Sequence, residues 1–62
     1  MSDITSFIEH GTGSEAFLHL RWFPDQIELA FSIESDGDIE LVVTHDDARR
    51  IAAAILATLD AA

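Results

Sequence analysis

The chain has 62 residues, so it forms one domain at most, with a thin core and marginal stability. Its hydrophobic content of 48% is ample for folding and argues against disorder, despite a net charge of −9. Twelve acidic residues stand against three arginines and no lysine. Nucleic acid and anionic membranes are therefore repelled, whereas a basic protein surface is attracted. The lack of cysteine excludes disulfides and thiolate metal sites.

The chain shows no sign of a membrane or secretory segment. No apolar run approaches the roughly 18 residues that a membrane span requires. The N-terminus lacks the basic start and the apolar stretch of a signal peptide. We therefore expect a cytoplasmic protein.

The first fourteen residues allow two interpretations. The spacing of their apolar side chains fits a short helix that ends at a glycine, and the alternation of Ile4, Ser6 and Ile8 fits an edge strand about as well. A flexible glycine-rich connection follows. We expect an N-terminal segment, 1–14, that precedes a single domain, 15–62.

Three segments in the middle of the chain alternate apolar and polar side chains, which is typical of strands with one buried face. Short turns join them and predict an antiparallel meander with the second strand in the centre. Pro24 has a negative φ, which excludes the primed turn types, and a predicted four-residue loop from Phe23 to Gln26 keeps Trp22 opposite Ile27. The apolar residues of the three segments are Leu18, Leu20 and Trp22; Ile27, Leu29, Phe31 and Ile33; and Ile39, Leu41 and Val43.

The second turn also fixes a predicted register. A two-residue Asp36-Gly37 turn would mix apolar and charged residues on one face of the sheet. A three-residue loop at 35–37, with Gly37 in a left-handed bulge, pairs Ile33 with Ile39. This register places the apolar and the charged residues on opposite faces of the sheet. The binary pattern favours the second register.

The last third of the chain predicts one amphipathic helix. Thr44 is a suitable N-cap, and Asp47 can complete a capping box. The fold class is thus α+β, a three-stranded antiparallel meander sheet with one C-terminal amphipathic helix packed on one face. The apolar stripe of the helix is Ala48, Ile51, Ala52, Ile55, Leu56 and Leu59. The expected core is Leu20, Trp22, Leu29, Phe31, Leu41, Ile55 and Leu59.

The acidic residues are unevenly distributed along the chain. Residues 15–40 carry seven acids against one arginine, whereas 41–62 have a net charge of −1. Like charges on neighbouring strands destabilise a sheet, so the fold gains nothing from this cluster. Carboxylates two residues apart on a strand lie about 6.6–7 Å apart, a grid that can imitate nucleic-acid phosphates. The acids that the predicted register gathers at one end of the outward face are Glu15, Glu34, Asp36, Asp38 and Glu40.

Two aromatic residues share the predicted outward face with these acids. Exposed aromatics beside a charged rim are typical of binding patches, although the N-terminal segment could fold back and cover them. Arg21 is expected to pair with Glu28 across the strands. The candidate partner-binding residues are Glu15, Glu28, Glu34, Asp36, Asp38, Glu40, Phe17 and Phe23.

The sequence offers little for catalysis or metal binding. His10, His19 and His45 fall in three different elements and match no metal spacing. The acids around Gly37 lack the remaining ligands of a calcium loop. One helix on three strands provides no obvious cleft for an acid/base pair, so we expect no enzyme activity, no metal and no cofactor.

In size, charge and layout the chain resembles the small phage-encoded inhibitors known as anti-CRISPR proteins, some of which are DNA mimics. The resemblance covers the whole chain and rests on no residue motif, so it transfers no functional residue. It implies a protein that occupies the DNA-binding surface of a CRISPR effector complex, in the cytoplasm of a bacterial host.

We therefore expect a small acidic inhibitor that binds the basic, nucleic-acid-binding surface of a partner protein. The alternative is a non-enzymatic interaction module that forms a homodimer through the alanine-rich helix face or the aromatic sheet face. Its acidity would then reflect solubility or a high-salt host. The high like charge favours a monomer, although so small a core would gain from dimerisation.

Overall fold

A computed structural model of the chain describes residues 1–61. The strands form one antiparallel sheet in the order β1-β2-β3-β4, and a C-terminal helix follows. The α+β class with an antiparallel sheet and one C-terminal helix is confirmed. The prediction of three strands was wrong, since a fourth strand lies at the edge of the sheet. The elements are β1 (Ser2–Ile8), β2 (Glu15–Phe23), β3 (Gln26–Ile33), β4 (Gly37–Val43) and α1 (His45–Asp60).

The fourth strand is the N-terminal segment, for which the sequence had left helix and strand open. It pairs with β2 along its whole length, from Ser2 opposite Arg21 to Ile8 opposite Glu15. Pairing with a full strand satisfies backbone N–H and C=O groups, whereas a helix this short is marginal in water. Because β1 lies beside β2 in the sheet, it does not fold back over the outward aromatic residues.

The β2–β3 hairpin has the predicted register. Trp22 lies opposite Ile27, and the pairing continues to Phe23 opposite Gln26. The connection is therefore only two residues long. In the described chain only glycines have positive φ, so Pro24 and the residue after it adopt the unprimed turn conformation that proline requires.

The β3–β4 hairpin differs from the prediction by two residues. Ile33 lies opposite Gly37 rather than Ile39, and Phe31 lies opposite Ile39. Gly37 has the predicted positive φ, +93°, yet it begins the strand instead of ending the loop. The backbone N–H of Asp36 donates to the carbonyl of Ile33 and closes the loop one residue earlier. A slip of two residues preserves the facing of every side chain, so the two faces of the sheet are as predicted.

Helix α1 begins as the sequence predicts. The Thr44 hydroxyl accepts a hydrogen bond from the backbone N–H of Asp47 at 3.0 Å, which satisfies a donor at the open helix end. The Asp47 carboxylate does not complete a capping box in the described structure, because it accepts from Arg50 at 3.3 Å. No helix in residues 1–61 has the length and apolar composition needed to cross a lipid bilayer.

A histidine, His45, attaches this helix to the turn of the β2–β3 hairpin. The Nε2 atom of His45 lies 2.7 Å from the carbonyl oxygen of Phe23 and 3.0 Å from that of Gln26. Both neighbours are acceptors, so Nε2 carries the hydrogen and donates to them. The imidazole also stacks on Trp22, with ring centroids 5.6 Å apart. One side chain thus fixes where the helix starts relative to the sheet.

The predicted core is only partly formed. Ala16 and Leu29 are the buried apolar residues of the described chain, and Leu20 is half-buried. No described residue of α1 is buried, because the helix contacts the sheet mainly through β3 and only near its own first turns. The expected core residues that are instead exposed are Trp22, Phe31, Leu41, Ile55 and Leu59.

Leu29→Ala tests the one large side chain that the sheet buries. Removing a buried leucine leaves a cavity, so we expect a loss of about 2–5 kcal/mol in the free energy of unfolding. Urea denaturation followed by circular dichroism measures it. Val42→Ala, at an exposed position of β4, is the control and should cost about 1 kcal/mol or less. An equal loss of unfolding free energy in the two variants would show that Leu29 is not part of the core.

His45→Phe and His45→Ala separate the two contacts of the anchoring histidine. Phenylalanine keeps the stacking on Trp22 and loses the hydrogen bonds, which should cost about 1 kcal/mol of unfolding free energy. Alanine loses both contacts, so it should cost more and shift the fluorescence of Trp22, the chain's one tryptophan, to longer wavelength. Wild-type stability of His45→Phe would show that the imidazole does not hold the two carbonyls.

Candidate functional site: the acidic end of the sheet

The antiparallel topology brings two acidic turns to one end of the sheet. The β1–β2 connection and the β3–β4 connection both lie there, because strands β1 and β3 run towards it and β2 and β4 start from it. The backbone N–H of Glu34 donates to the carbonyl of Glu15 at 3.1 Å and ties the two connections together. We name as the acidic end the carboxylates of Glu9, Glu15, Glu34, Asp36 and Asp38, which lie in this region, together with that of Glu40 further along the outward face of β4.

The observed register changes the neighbours of the β4 acids. Asp38 lies opposite Ser32 rather than beside Glu34, and its Oδ1 accepts a hydrogen bond from the Ser32 hydroxyl at 2.6 Å. Glu40 lies opposite Ala30, one step further along the sheet. Both acids remain on the outward face, because Ser32 and Ala30 alternate with the inward Phe31. The acids are therefore more widely spread than predicted, and one of them is held by a neighbour.

No arginine of the chain neutralises the acidic end. Arg21 pairs with Glu28 at 3.8 Å on the outward face, away from this end. Arg49 pairs with Asp46 at 2.9 Å, and Arg50 pairs with Asp47 at 3.3 Å, both on the helix. With all three arginines engaged elsewhere, the negative potential at the acidic end is not offset by any Arg within the described chain.

Glu9 organises the β1–β2 connection through its carboxylate. Its Oε1 accepts from the backbone N–H of Gly11 at 3.0 Å, and its Oε2 accepts from both the N–H and the hydroxyl of Thr12 at 2.6 Å. The Thr12 hydroxyl, then the Thr12 and Gly11 amides, lower the pKa of Glu9 below its usual 4.5. The carboxylate therefore stays ionised and adds to the charge of this end.

The two predicted aromatic residues lie far apart. Phe17 is near the acidic end, opposite Ser6 and Ser32, and it is exposed on the outward face. Phe23 lies six residues further along β2, which places it about 20 Å away. It is half-buried beneath Arg21, whose guanidinium carbon lies 5.4 Å from the ring centroid.

The structure thus divides the predicted partner-binding residues into two groups. Glu28, with its side chain 17% exposed, belongs with Arg21 and Phe23 and not with the acidic end. The sequence analysis did not include Glu9 among the site residues. Glu9 directly follows β1, and the pairing of β1 with β2 places it at this end of the sheet. The available signal was an acid placed shortly before Gly11 and Thr12, a pattern in which a carboxylate can accept from the backbone of a turn. The residues that lie with Glu9 at this end of the sheet are Glu15, Phe17, Glu34, Asp36 and Asp38, whereas Glu40 lies opposite Ala30, in the middle of β3.

The histidines do not join this site as a cluster. His10 lies in the β1–β2 connection, His19 lies on β2 opposite Ile4, and His45 is held at the opposite end of the sheet. Within residues 1–61, no three His, Asp or Glu side chains are grouped closely enough to hold a metal ion. The chemistry that the acidic end offers is the attraction and hydrogen bonding of cations.

Comparisons with protein-family models, with curated proteins and with solved structures found no match to this chain. The functional interpretation of the acidic end therefore rests on its geometry and its charge.

The Glu9 network predicts a titration in the β1–β2 connection. A lowered pKa means that the carboxylate stabilises the folded connection above pH 4.5, and that this contribution disappears as the pH falls through the lower, folded-state pKa. The amide resonances of Gly11 and Thr12 should report this transition in NMR spectra recorded at decreasing pH. Glu9→Gln should abolish it. A midpoint at or above 4.5 would contradict the network.

Proposed function

We propose that the protein is a non-enzymatic acidic inhibitor that binds a basic, nucleic-acid-binding surface of another protein. The observation that carries the proposal is the acidic end, where six carboxylates gather and all three arginines are paired elsewhere. A surface of one sign accelerates the encounter with a surface of the opposite sign and limits the choice of partner. Lysine- and arginine-rich clefts that hold nucleic acid are the protein surfaces with the matching sign.

The distribution of charge supports binding over solubility as the reason for the acids. Solubility is served by charges of both signs spread over the surface. On the helix, Asp46 and Asp47 have arginine partners at short distance. The outward face of β4 carries Asp38 and Glu40 without an arginine partner, opposite Ser32 and Ala30. Carboxylates that no arginine of the chain neutralises remain available to attract a basic surface.

The acidic end also has features of a contact surface. The Ser32 hydroxyl orients Asp38, and the Thr12 hydroxyl orients Glu9, so both carboxylates are fixed before a partner arrives. Phe17 supplies exposed apolar area between them and the rest of the outward face. Preorganised acceptors beside an aromatic residue match guanidinium groups, which donate several hydrogen bonds and stack on rings.

A CRISPR effector complex is the specific partner that the resemblance to anti-CRISPR proteins implies. Such a complex holds its nucleic acids in positively charged channels through their backbones. A protein with a row of fixed carboxylates can occupy such a channel, which places its action in the bacterial cytoplasm.

Neutralising part of the acidic end tests the proposal. The quadruple variant Glu34→Gln, Asp36→Asn, Asp38→Asn and Glu40→Gln removes four charges and should fold as well as wild type, because like-charge repulsion is relieved. Mixed with guide-loaded CRISPR effectors of several types, wild type should block DNA cleavage by at least one, and the variant should bind that effector more slowly, with weaker salt dependence. Surface plasmon resonance at several salt concentrations measures both effects.

A matched control keeps the net charge of the variant and leaves the acidic end intact. Asp3→Asn, Asp25→Asn, Asp46→Asn and Asp60→Asn also remove four charges, and this control should inhibit nearly as well as wild type. Effector that already holds its target DNA should resist the inhibitor, and the protein alone should not shift DNA or RNA in a gel. Inhibition by the acidic-end variant equal to that of wild type would sink the proposal, as would inhibition of no effector.

A further inference from the structure

Beyond the acidic end, the inward face of the sheet is incompletely covered. Helix α1 contacts Trp22 through His45, and Ala48 and Ala52 line a depression with Trp22 and Ile27 at this end of the sheet. The rest of the inward face is left open. At the other end a depression is lined by Phe7, Ala16, Phe31, Ile33 and Ile39, and also by Glu9, Asp36 and Asp38 of the acidic end.

The second half of the helix is equally uncovered. Its apolar side chains Ile55, Leu56 and Leu59 are 58%, 59% and 67% exposed. They continue the stripe that begins at Ala48, yet the last turns of the helix contribute no lining to the contacts with the sheet. One chain therefore carries both an open apolar sheet surface and an unpartnered apolar helix surface.

The exposed area has the size of an interface. The chain exposes 4943 Å², whereas a folded monomer of 6.8 kDa is expected to expose about 3,950 Å², an excess of about 1,000 Å². A stable protein–protein interface removes about 800 Å² from each partner. The excess is thus what one copy would lose by pairing with another.

The charges permit this pairing. The acids Asp38 and Glu40 project from the outward face, on the side of the sheet away from the helix. The segment 41–62, which contains the helix, has a net charge of only −1. Two copies can therefore bring their inward faces together with Asp38 and Glu40 on the outside of the pair, although Glu9 and Asp36 line the depression and the total charge of −9 by itself favours a monomer.

We propose that a second copy of this chain covers the inward face, with the Ile55–Leu59 half of each helix packed on the open sheet of the other copy. A two-fold arrangement satisfies both surfaces at once, because each copy donates one helix and accepts one. The interface completes a core in which the single chain buries only Ala16 and Leu29. This inference is independent of the partner proposed for the acidic end.

Ile55→Glu and Ile4→Glu form a matched pair for the test. The two side chains are 58% and 62% exposed, but Ile55 lies in the proposed interface and Ile4 lies on the outward face. In sedimentation equilibrium, wild type and Ile4→Glu should have twice the 6.8 kDa mass of one chain, and Ile55→Glu should have that mass. The melting temperature of wild type should rise with protein concentration, since pairing stabilises the fold by mass action.

A mixed sample of isotope-labelled and unlabelled wild-type protein locates the contact. Intermolecular NOEs should connect the methyl groups of Ile55 and Leu59 to the rings of Phe7 and Phe31. A wild-type protein that is monomeric at every concentration, with a constant melting temperature, would overturn the proposal and leave the face to a different partner. Intermolecular NOEs found only between helices, or only on the outward face, would overturn it as well. Should Ile55→Glu fail to fold, Leu59→Glu and the wild-type concentration series decide.

Discussion

The short junction between β4 and α1 sets the arrangement of the whole chain. Thr44 is the one residue between Val43 and the helix, and it is already engaged as the N-cap. His45 then donates to the carbonyls of Phe23 and Gln26, which fixes the first turn at the β2–β3 end of the sheet. A helix that starts at this corner covers Trp22 and its neighbours first. Its large apolar residues Ile55, Leu56 and Leu59 come later in the helix and remain exposed, so the core is incomplete.

The two faces of the sheet consequently have different roles. Because side chains alternate along a strand, the inward face collects Leu29 and Phe31 while the outward face collects Asp38 and Glu40. The hairpins bring two turns to the same end, so that Glu9 joins the acids of β3 and β4 although it is distant in sequence. The outward face nevertheless also exposes the apolar side chains of Ile4, Ile8 and Val42, and the depression on the inward face is lined by Glu9 and Asp36 as well as by apolar residues.

The sequence predicts the structural features that depend on local residue patterns, and it does not predict those that depend on contacts between residues distant in the chain. Period-two alternation correctly assigned the faces of β2, β3 and β4, and even the two-residue error in the β3–β4 register did not exchange them. Thr44 was recognised as the N-cap from residue type and position alone. β1 stayed ambiguous because Ile4 and Ile8, four residues apart, share one face in a helix and in a strand alike, and only pairing with β2 decides between the two.

The candidate site was predicted in part for the same reason. The acids of the β3–β4 hairpin are neighbours in sequence, so any hairpin register places them together. The position of Glu9 depends on which strand ends meet, and the distance between Phe17 and Phe23 depends on the length of β2. Both are properties of the tertiary structure. The expectation of one closed core failed because an amphipathic stripe shows that a helix has an apolar side without showing what covers it.

The acidic end and the inward face also respond to their surroundings through different physics. Charge attraction between exposed groups weakens over about 8 Å in physiological salt, whereas apolar burial is not screened. Repulsion between two copies, each with a charge of −9, is long-ranged and falls in the same way as salt rises. Salt should therefore weaken the proposed binding of the acidic end to a basic partner and reduce the main opposition to the proposed pairing through Phe31 and Leu59. The two proposed contacts respond to salt in opposite directions because the first is an attraction between charges, whereas the second is apolar burial that charge repulsion opposes.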